Sequence, residues 1–470
     1  MNLRFSSNVF CITVFFLFSA ISKPSFAGQP FPQGSNSVSL VECVKKTLQS
    51  NPKLLSKMDE RNASELRCAL AETAKMPRVK AEEIFTRMRQ PLSVALGAAP
   101  MSIGDDKLQI KTLRVSQPLY TGGKIENGIR AARSEVYVRR FSEIQLREDL
   151  ARQVAEAYVG LMTAKALQQV ASQALFDTQG HAKQVENMLQ FGSVVRNDLL
   201  KIQVSVSERR ENLIKANNAV KLTCTSLANL VGYEISTDAI LANFTYAMKP
   251  PADEKTALEM ASNKHPALLA LRESLRLHRF ATQSAKGDLR PNLGMQWNFN
   301  SGNQFNESQS NWDATLYVGF NVFDAGEART KVKEAQTGYK KASHDLEGIQ
   351  RDISLAVQQA ILRMEEANAR LEVAKEAEVQ AKESMRLTEE SFKAGAATSQ
   401  NLLDDESALV AAEQRRITAN FDRVLAETHL WFSVGGLEKA LLSTVQPAAN
   451  AFDTSIATTT LLVYTTGENK

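Results

Sequence analysis

The sequence predicts a mostly α-helical chain with a small β portion, built from long antiparallel helical hairpins of coiled-coil type plus four strands. Three observations predict it. The chain repeats itself: residues 115–235 superimpose on 318–438 at a constant shift of 203. Two stretches of helical periodicity, Lys124 to Phe191 and Glu327 to Ala394, run without a proline. Short stretches of apolar–polar alternation lie between helical segments. A duplication on this scale means one supersecondary unit used twice.

The landmarks fix the register of the repeat. Pro118-Leu119-Tyr120-Thr121-Gly122-Gly123 falls on Asn321-Val322-Phe323-Asp324-Ala325-Gly326, Phe191-Gly192 on Ala394-Gly395, and Gly232 on Gly435. Asn51-Pro52 matches His265-Pro266 at a shift of 214, so only the segment between has changed length. Each repeat reads as helix, strand hairpin, very long helix, glycine break, helix. The expected divisions are a leader (1–27), a linker (28–36), the first repeat (37–235), a second linker (236–252), the second repeat (253–438) and a polar, poorly ordered tail (439–470).

Met1 to Ala27 has the form of a secretory signal peptide. Arg4 gives a basic start, Val9 to Ile21 is apolar, and Ser25-Phe26-Ala27 is a small-x-small cleavage site. Gly28 follows it where a lipoprotein would carry Cys, so no lipid anchor is expected. Beyond Ala27 no window approaches the roughly 20 apolar residues of a transmembrane helix. Removing Arg4 and Lys23 lowers the net charge from +4 to +2, which predicts no nucleic-acid footprint. Cys43 and Cys68 fall in what reads as one helix, about 37 Å apart at 1.5 Å per residue, so they cannot pair.

The strands are clearest in the second repeat. Leu293, Met295, Trp297 and Phe299 alternate with polar neighbours over Asn292–Asn300. Trp312, Ala314, Leu316, Val318, Phe320 and Val322 alternate with Asp313, Thr315, Tyr317, Gly319 and Asn321. That is period two over roughly ten residues. The interleaved Asn, Gln and Thr suit a wet lumen opposite a lipid face, as well as a sheet lying on a soluble core. First-repeat strands are poorer, with Lys111 and Gln117 interrupting the face. Ser301–Asn311 reads as an exposed hairpin tip, and Gln90–Asp106 as its longer counterpart.

The long helices carry a heptad seam. Ala328, Val332, Ala335, Tyr339, Ala342, Leu346, Ile349, Ile353, Ala356 and Ala360 step by 4, 3, 4, 3, as do Leu150, Val154, Ala157, Leu161 and Ala164. Each helix would extend on the order of 100 Å. Gly192 and Gly395 end them, since glycine adopts the left-handed conformation of a helix C-terminus. Thr398 or Ser399 can cap the next helix.

These residues together resemble the TolC family of outer-membrane efflux and secretion channels. The carriers are the doubled order itself, Asn51-Pro52 and His265-Pro266 in the first helix of each half, and Gln117-Pro118-Leu119-Tyr120-Thr121-Gly122-Gly123 at a strand–helix corner. Phe392-Lys393-Ala394-Gly395 followed by Leu402-Leu403-Asp404 at a reversal completes the set. The resemblance covers roughly 37–438. It implies a homotrimer in outer-membrane lipid, each protomer lending four strands to a twelve-stranded barrel continued by a helical tunnel through the periplasm. It also implies a periplasmic adaptor and an inner-membrane pump as partners, and no cofactor. Four strands cannot close a barrel, and open edges are not tolerated in lipid, so a single chain cannot span alone.

By the same resemblance, acidic residues just past the second-repeat glycine line the narrow periplasmic end. Here those positions are Asn401 and Asp404, so one carboxylate ring remains, helped by Asp405. The plain reading of Asp404 is a first-turn acid complementing the helix dipole. Asp198 matches an acid that helps hold the closed end, but its basic partner's position is Ala397, with Arg196 nearby. The reversals Gly192-Ser193-Val194 and Gly395-Ala396-Ala397 are the expected adaptor contacts. Pro118, Gly123 and Gly326 mark the strand–helix corners.

No catalytic constellation appears. The five histidines are scattered, and Gly122-Gly123-Lys124 lacks the upstream glycine and following Ser/Thr of a phosphate loop. No enzyme activity is expected, and Glu365-Glu366 and Glu389-Glu390 read as solvated helix surface. Two other classes stay open: a periplasmic coiled-coil scaffold or adaptor without a barrel, and a surface adhesin.

Overall fold

The computed structural model describes residues 37–89, 93–95, 100–102, 107–251, 253–304 and 307–444, all within one compact unit. The expected leader, the 28–36 linker and the chain beyond 444 lie outside the described residues. The first repeat contains β1 (Ser37–Val38), α1 (Leu40–Ser50), α2 (Pro52–Thr73), β2 (Arg78–Arg87), β3 (Ser93–Ala95), β4 (Pro100–Ser102), β5 (Lys107–Tyr120), α3 (Lys124–Gln190) and α4 (Arg196–Val231). After β6 (Ile240–Leu241) come α5 (Glu254–Lys264), α6 (Pro266–Ala285), β7 (Asn292–Gln304), β8 (Glu307–Gly319), α7 (Glu327–Lys393), α8 (Ser399–Ser433) and α9 (Leu437–Leu442). A short 3-10 turn, Lys286–Leu289, links α6 to β7.

The duplication is written in the backbone. Helices α3 and α7 each have 67 residues. They begin after Gly123 (φ 86°) and Gly326 (φ 87°) and run into Gly192 (φ 69°) and Gly395 (φ 74°). Asn51 (φ −68°, ψ 121°) ends α1, and His265 (φ −62°, ψ 119°) ends α5, each with proline opening the next helix. Proline disfavours the helical conformation in the residue before it. That break corrects the single helix expected across Cys43 and Cys68: they lie in α1 and α2, and both are free thiols, as is Cys224.

The main sheet is antiparallel with spatial order β2-β5-β7-β8, so β2 and β8 are its edges. Its hairpin is longer than expected. Ser301↔Ser310, Gly302↔Gln309, Asn303↔Ser308 and Gln304↔Glu307 are paired inside the segment read as a tip. Strand β8 stops at Gly319, short of Val322, because Asp324 turns the chain: its carboxylate accepts from the N–H groups of Gly326 and Ala328 at 3.0 and 2.9 Å. Pro118 does not end β5, which continues to Tyr120 through a register shift between Pro118 and Tyr120. A bulge is where a strand tolerates proline. Within Gln90–Asp106, β3 pairs with β4, and the other residues of that loop lie outside the described ones.

The seam of α7 is buried at Ala328, Val332, Ala342, Ile353, Val357, Ala360, Ala367, Leu371 and Ala374. Tyr339 and Ala356 are exposed, against expectation. A 3.6-residue helix drifts from a strict heptad, and the stripe moves to Val357. In α3, Leu150, Val154, Leu161 and Ala164 are buried as expected, and Ala151, Ala155 and Tyr158 add a second covered face.

The largest core joins both repeats around Tyr158, which is fully buried. Its hydroxyl donates toward the carbonyls of Val38 (2.8 Å) and Ala242 (2.7 Å), tying α3 to the parallel β1–β6 pair. The 236–252 segment is therefore packed structure as well as a connection, with Tyr246 buried against Thr428 at 2.7 Å. Past the boundary drawn at 438, α9 buries Leu437, Ala440 and Leu441 in the same core, so ordered packing continues into the expected tail.

Candidate pore surfaces and helical reversals

Register sorts the sheet into two unlike faces. On one, Val79, Val115, Trp297 and Ala314 form a row across all four strands, and Ala81, Leu113, Phe299 and Trp312 form the next. Met295, Leu316, Leu293 and Val318 extend it on β7 and β8. Trp312, Leu316 and Val318 are each about two-thirds exposed, an apolar band with nothing among the described residues to cover it. The other face is a polar net. Arg114 Nε donates to Asn298 Oδ1 (3.1 Å), Asn298 Nδ2 to Asp313 Oδ2 (2.9 Å), and Thr112 to Asn300 (2.9 Å). One wet face and one greasy face, at period two, is what a membrane barrel wall requires.

The corners match in geometry and differ in chemistry. Thr121 Oγ1 accepts from Ile125 N–H at 3.3 Å, the job Asp324 performs at the second corner. Those N–H bonds, Ala328 first, hold the Asp324 carboxyl below the usual carboxylate range. Gly122 (φ 65°) is matched by Ala325 (φ 52°). A Cβ at Gly122 would sit 2.6 Å from the Gly287 carbonyl oxygen, whereas the second corner holds an alanine. Gly123 and Gly326 thus lie at the corners as expected, and Pro118 lies inside the strand just before one.

At the other end the two reversals come together. Val185 of α3, Ile202 of α4, Phe392 of α7 and Leu402 of α8 form one buried cluster, with Val194, Leu199, Ala397 and Leu403 packed around it. Ala397 serves here as apolar packing, so the first-repeat and second-repeat hairpins meet through hydrocarbon. Asp198 lies on the rim, where its carboxylate accepts from Val195 N–H (3.4 Å) at the start of α4. Thr398, not Ser399, caps α8 in a reciprocal box with Asn401. Asn401 Oδ1 accepts from Thr398 N–H at 3.1 Å, which commits that side chain to the cap.

Asp404 is exposed and accepts from Gln400 at 2.9 Å, while Asp405 is half-buried against Thr388. Gly192, Ser193, Gly395 and Ala396 are exposed at the turns, and Val194 and Ala397 are half-buried. One turn above, Glu406 is buried and takes a hydrogen bond from Thr178 of α3. Burial raises its pKa, and the Thr178 bond opposes the rise. Glu406 escaped the sequence reading. Phe392 and Leu402 entered it only as parts of a motif, since nothing local reveals that four helices converge on them. Among the described residues no His, Cys, Asp and Glu group could hold a metal ion, and no helix is long and apolar enough to cross a membrane.

The chain matches known proteins over nearly all the described structure. The profile of the family described as outer membrane efflux protein matches twice, at residues 43–233 and 257–436, one match for each repeat. The alkaline protease secretion protein AprF of Pseudomonas aeruginosa is 23% identical over 421 residues, covering 86% of this chain and 85% of that one. Among solved structures, the outer membrane protein VceC of Vibrio cholerae gives a TM-score of 0.74 at 16% identity, covering 84% of this chain and 96% of that one. CusC gives 0.72 at 16% identity, covering 89% and 99%.

Proposed function

The chain belongs to the outer membrane efflux protein family, and from that premise we propose that three copies form one conduit from the periplasm through the outer membrane. The protein is an outer-membrane exit duct of the efflux and secretion class. The observation that carries the trimer is the four-stranded sheet itself, with unpaired edges at β2 and β8, one apolar face and one polar face. Backbone groups cannot be left unpaired in hydrocarbon, so the edges must pair with other copies. Twelve strands are an even number within the range of outer-membrane barrels.

Transport is passive in this reading. The helical hairpins carry the barrel lumen across the periplasm, and a periplasmic adaptor with an inner-membrane pump engages the turns at Gly192–Val194 and Gly395–Ala397. Asp404 supplies a ring of three carboxylates near the narrow end, exposed to meet cations, with Gln400 as its hydrogen-bond partner among the described residues. Asn401 contributes a cap instead of a second ring. The likeness to AprF favours a polypeptide among the cargoes, delivered by whichever pump is engaged. No catalytic step is assigned.

The purified protein in planar bilayers should conduct, and fractionation should place it with the outer membrane. Recovery in the soluble periplasm would end the channel reading. Asp404→Ala should lower cation preference and relieve block by divalent ions several-fold. Unchanged selectivity removes Asp404 from the constriction.

A further inference from the structure

The polar face of the sheet carries more positive charge than a neutral water-filled wall needs. Register aligns Lys80, Arg114, Asn298 and Asp313 in one row across β2, β5, β7 and β8. The next row toward the helices is Arg78, Ser116, Gln296 and Thr315, and the row beyond is Glu82, Thr112, Asn300 and Asn311. Lys80 is paired with Glu82. Asp313 is held by Asn298 Nδ2 at 2.9 Å and by Thr315 Oγ1 at 3.3 Å. Arg114 donates through Nε to the neutral amide of Asn298 and exerts a weaker pull on Glu82, its diagonal neighbour, but neither Arg78 nor Arg114 has a carboxylate within ion-pair distance among the described residues.

Position makes this informative. These rows lie directly behind Val79, Val115, Trp297, Phe299 and Trp312, the most apolar part of the opposite face. A cation facing lipid at that depth costs about 2–4 kcal/mol, so the arginines are supportable only beside water. Arg78 and Arg114 are diagonal neighbours on adjacent strands, a spacing of roughly 7–8 Å that lets two guanidinium groups reach one oxyanion. Guanidinium forks match phosphate and carboxylate oxygens in pairs.

Resting on the channel reading, we propose that Arg78 and Arg114 form an oxyanion-binding belt inside the barrel, opposite in sign to the Asp404 ring at the far end. Three protomers place six such arginines around one lumen. The belt recognises multivalent oxyanions, and its pull is local at ordinary salt, where the Debye length is about 10 Å at 0.1 M.

The test uses full-length trimer in planar bilayers at low salt, with inorganic tripolyphosphate added on the barrel side. Wild-type conductance should be blocked, and the double variant Arg78→Gln, Arg114→Gln should need at least tenfold more tripolyphosphate and shift its reversal potential toward cations. Arg114→Lys should retain most of the block. Asp313→Asn should strengthen block several-fold, a gain that a misfolded barrel cannot produce. An unblocked wild type, or a double variant blocked equally well, overturns the belt while leaving the channel intact. Absence of any wild-type conductance overturns both.

Discussion

Helices α3 and α7 have the same length, the same glycine at each end and the same place in their repeats, yet their surroundings differ. Helix α3 packs against α1, α2, α4, α6, α8 and α9, whereas α7 packs against α5, α6 and α8. The buried residues of α3 include Tyr158, Val159, Leu161 and Val170 across more than one face. Helix α7 buries a single narrow stripe and leaves Leu355, Leu362, Val373 and Leu387 each about half exposed or more. Those four follow one another at 7, 11 and 14 residues, so they share a line along the helix. One copy of the unit thus organises its own chain, and the other leaves an apolar line uncovered among the described residues, which in the proposed trimer would meet a second chain. Duplication supplied two equal parts, and the fold uses them unequally.

Four tests probe that division, ranked by expected effect on a single protomer. Tyr158→Ala removes a fully buried ring and strands two carbonyls, and should cost about 3–5 kcal/mol in detergent unfolding. Ile361, its counterpart in α7, is only half-buried, and Ile361→Ala should cost clearly less. Equal losses would break the comparison. At the reversals, Phe392→Ala opens a cavity among four helices and should cost about 3 kcal/mol. It should also raise the frequency of channel opening, since hydrocarbon is what joins the two hairpins there. Phe191→Ala, on a side chain 84% exposed, should stay within about 0.5 kcal/mol.

The third test is a pH dependence. Burial lifts the Glu148 carboxyl of α3 to about 7, opposed mainly by its bond from Glu438 N–H (3.1 Å). Its equivalent in α7, Arg351, is exposed and paired with Glu347 at 2.5 Å. A raised carboxyl pKa means the folded state holds a proton the unfolded chain has released. Stability therefore falls as pH rises from about 4.5 to about 7. Glu148→Gln should flatten that slope, recovering on the order of 2 kcal/mol at pH 7. A slope identical to wild type sinks the assignment. The smallest effect on the protomer belongs to Leu362→Glu, within about 0.5 kcal/mol. It should nevertheless abolish the trimer on native gels, and a surviving trimer would mean that α7's apolar line faces something else.

Much of this was legible in residues 115–235 and 318–438, because glycine at positive φ and proline at a helix start have few alternative meanings. Gly123, Gly326, Gly192 and Gly395 each sit where the repeat put them. Other features depended on geometry that one segment does not carry. Tyr339 and Ala356 left the seam because drift accumulates along a long helix, and Asn51 broke the single helix read across Cys43 and Cys68. The candidate gate was the least readable part. Asn401 and Asp198 are short polar residues beside helix starts, where capping competes with any role in a pore, and both make capping bonds here. The polar rows across the sheet were hidden for a related reason: Lys80, Arg114 and Asp313 become neighbours only once register is set.

The matched 67-residue span of α3 and α7 carries a constraint on how this gene can change. Adding one residue to either helix would lift its turn by about 1.5 Å and swing everything beyond it by about 100°. The two turns of one chain would then stand at different heights and face different ways, pulling Val185 and Ile202 off Phe392 and Leu402. Only paired changes, made alike in both copies and in steps near seven residues, keep the stripes in phase. The helices therefore act as two rulers cut to one gauge, and point substitution is a far easier road for this protein than insertion.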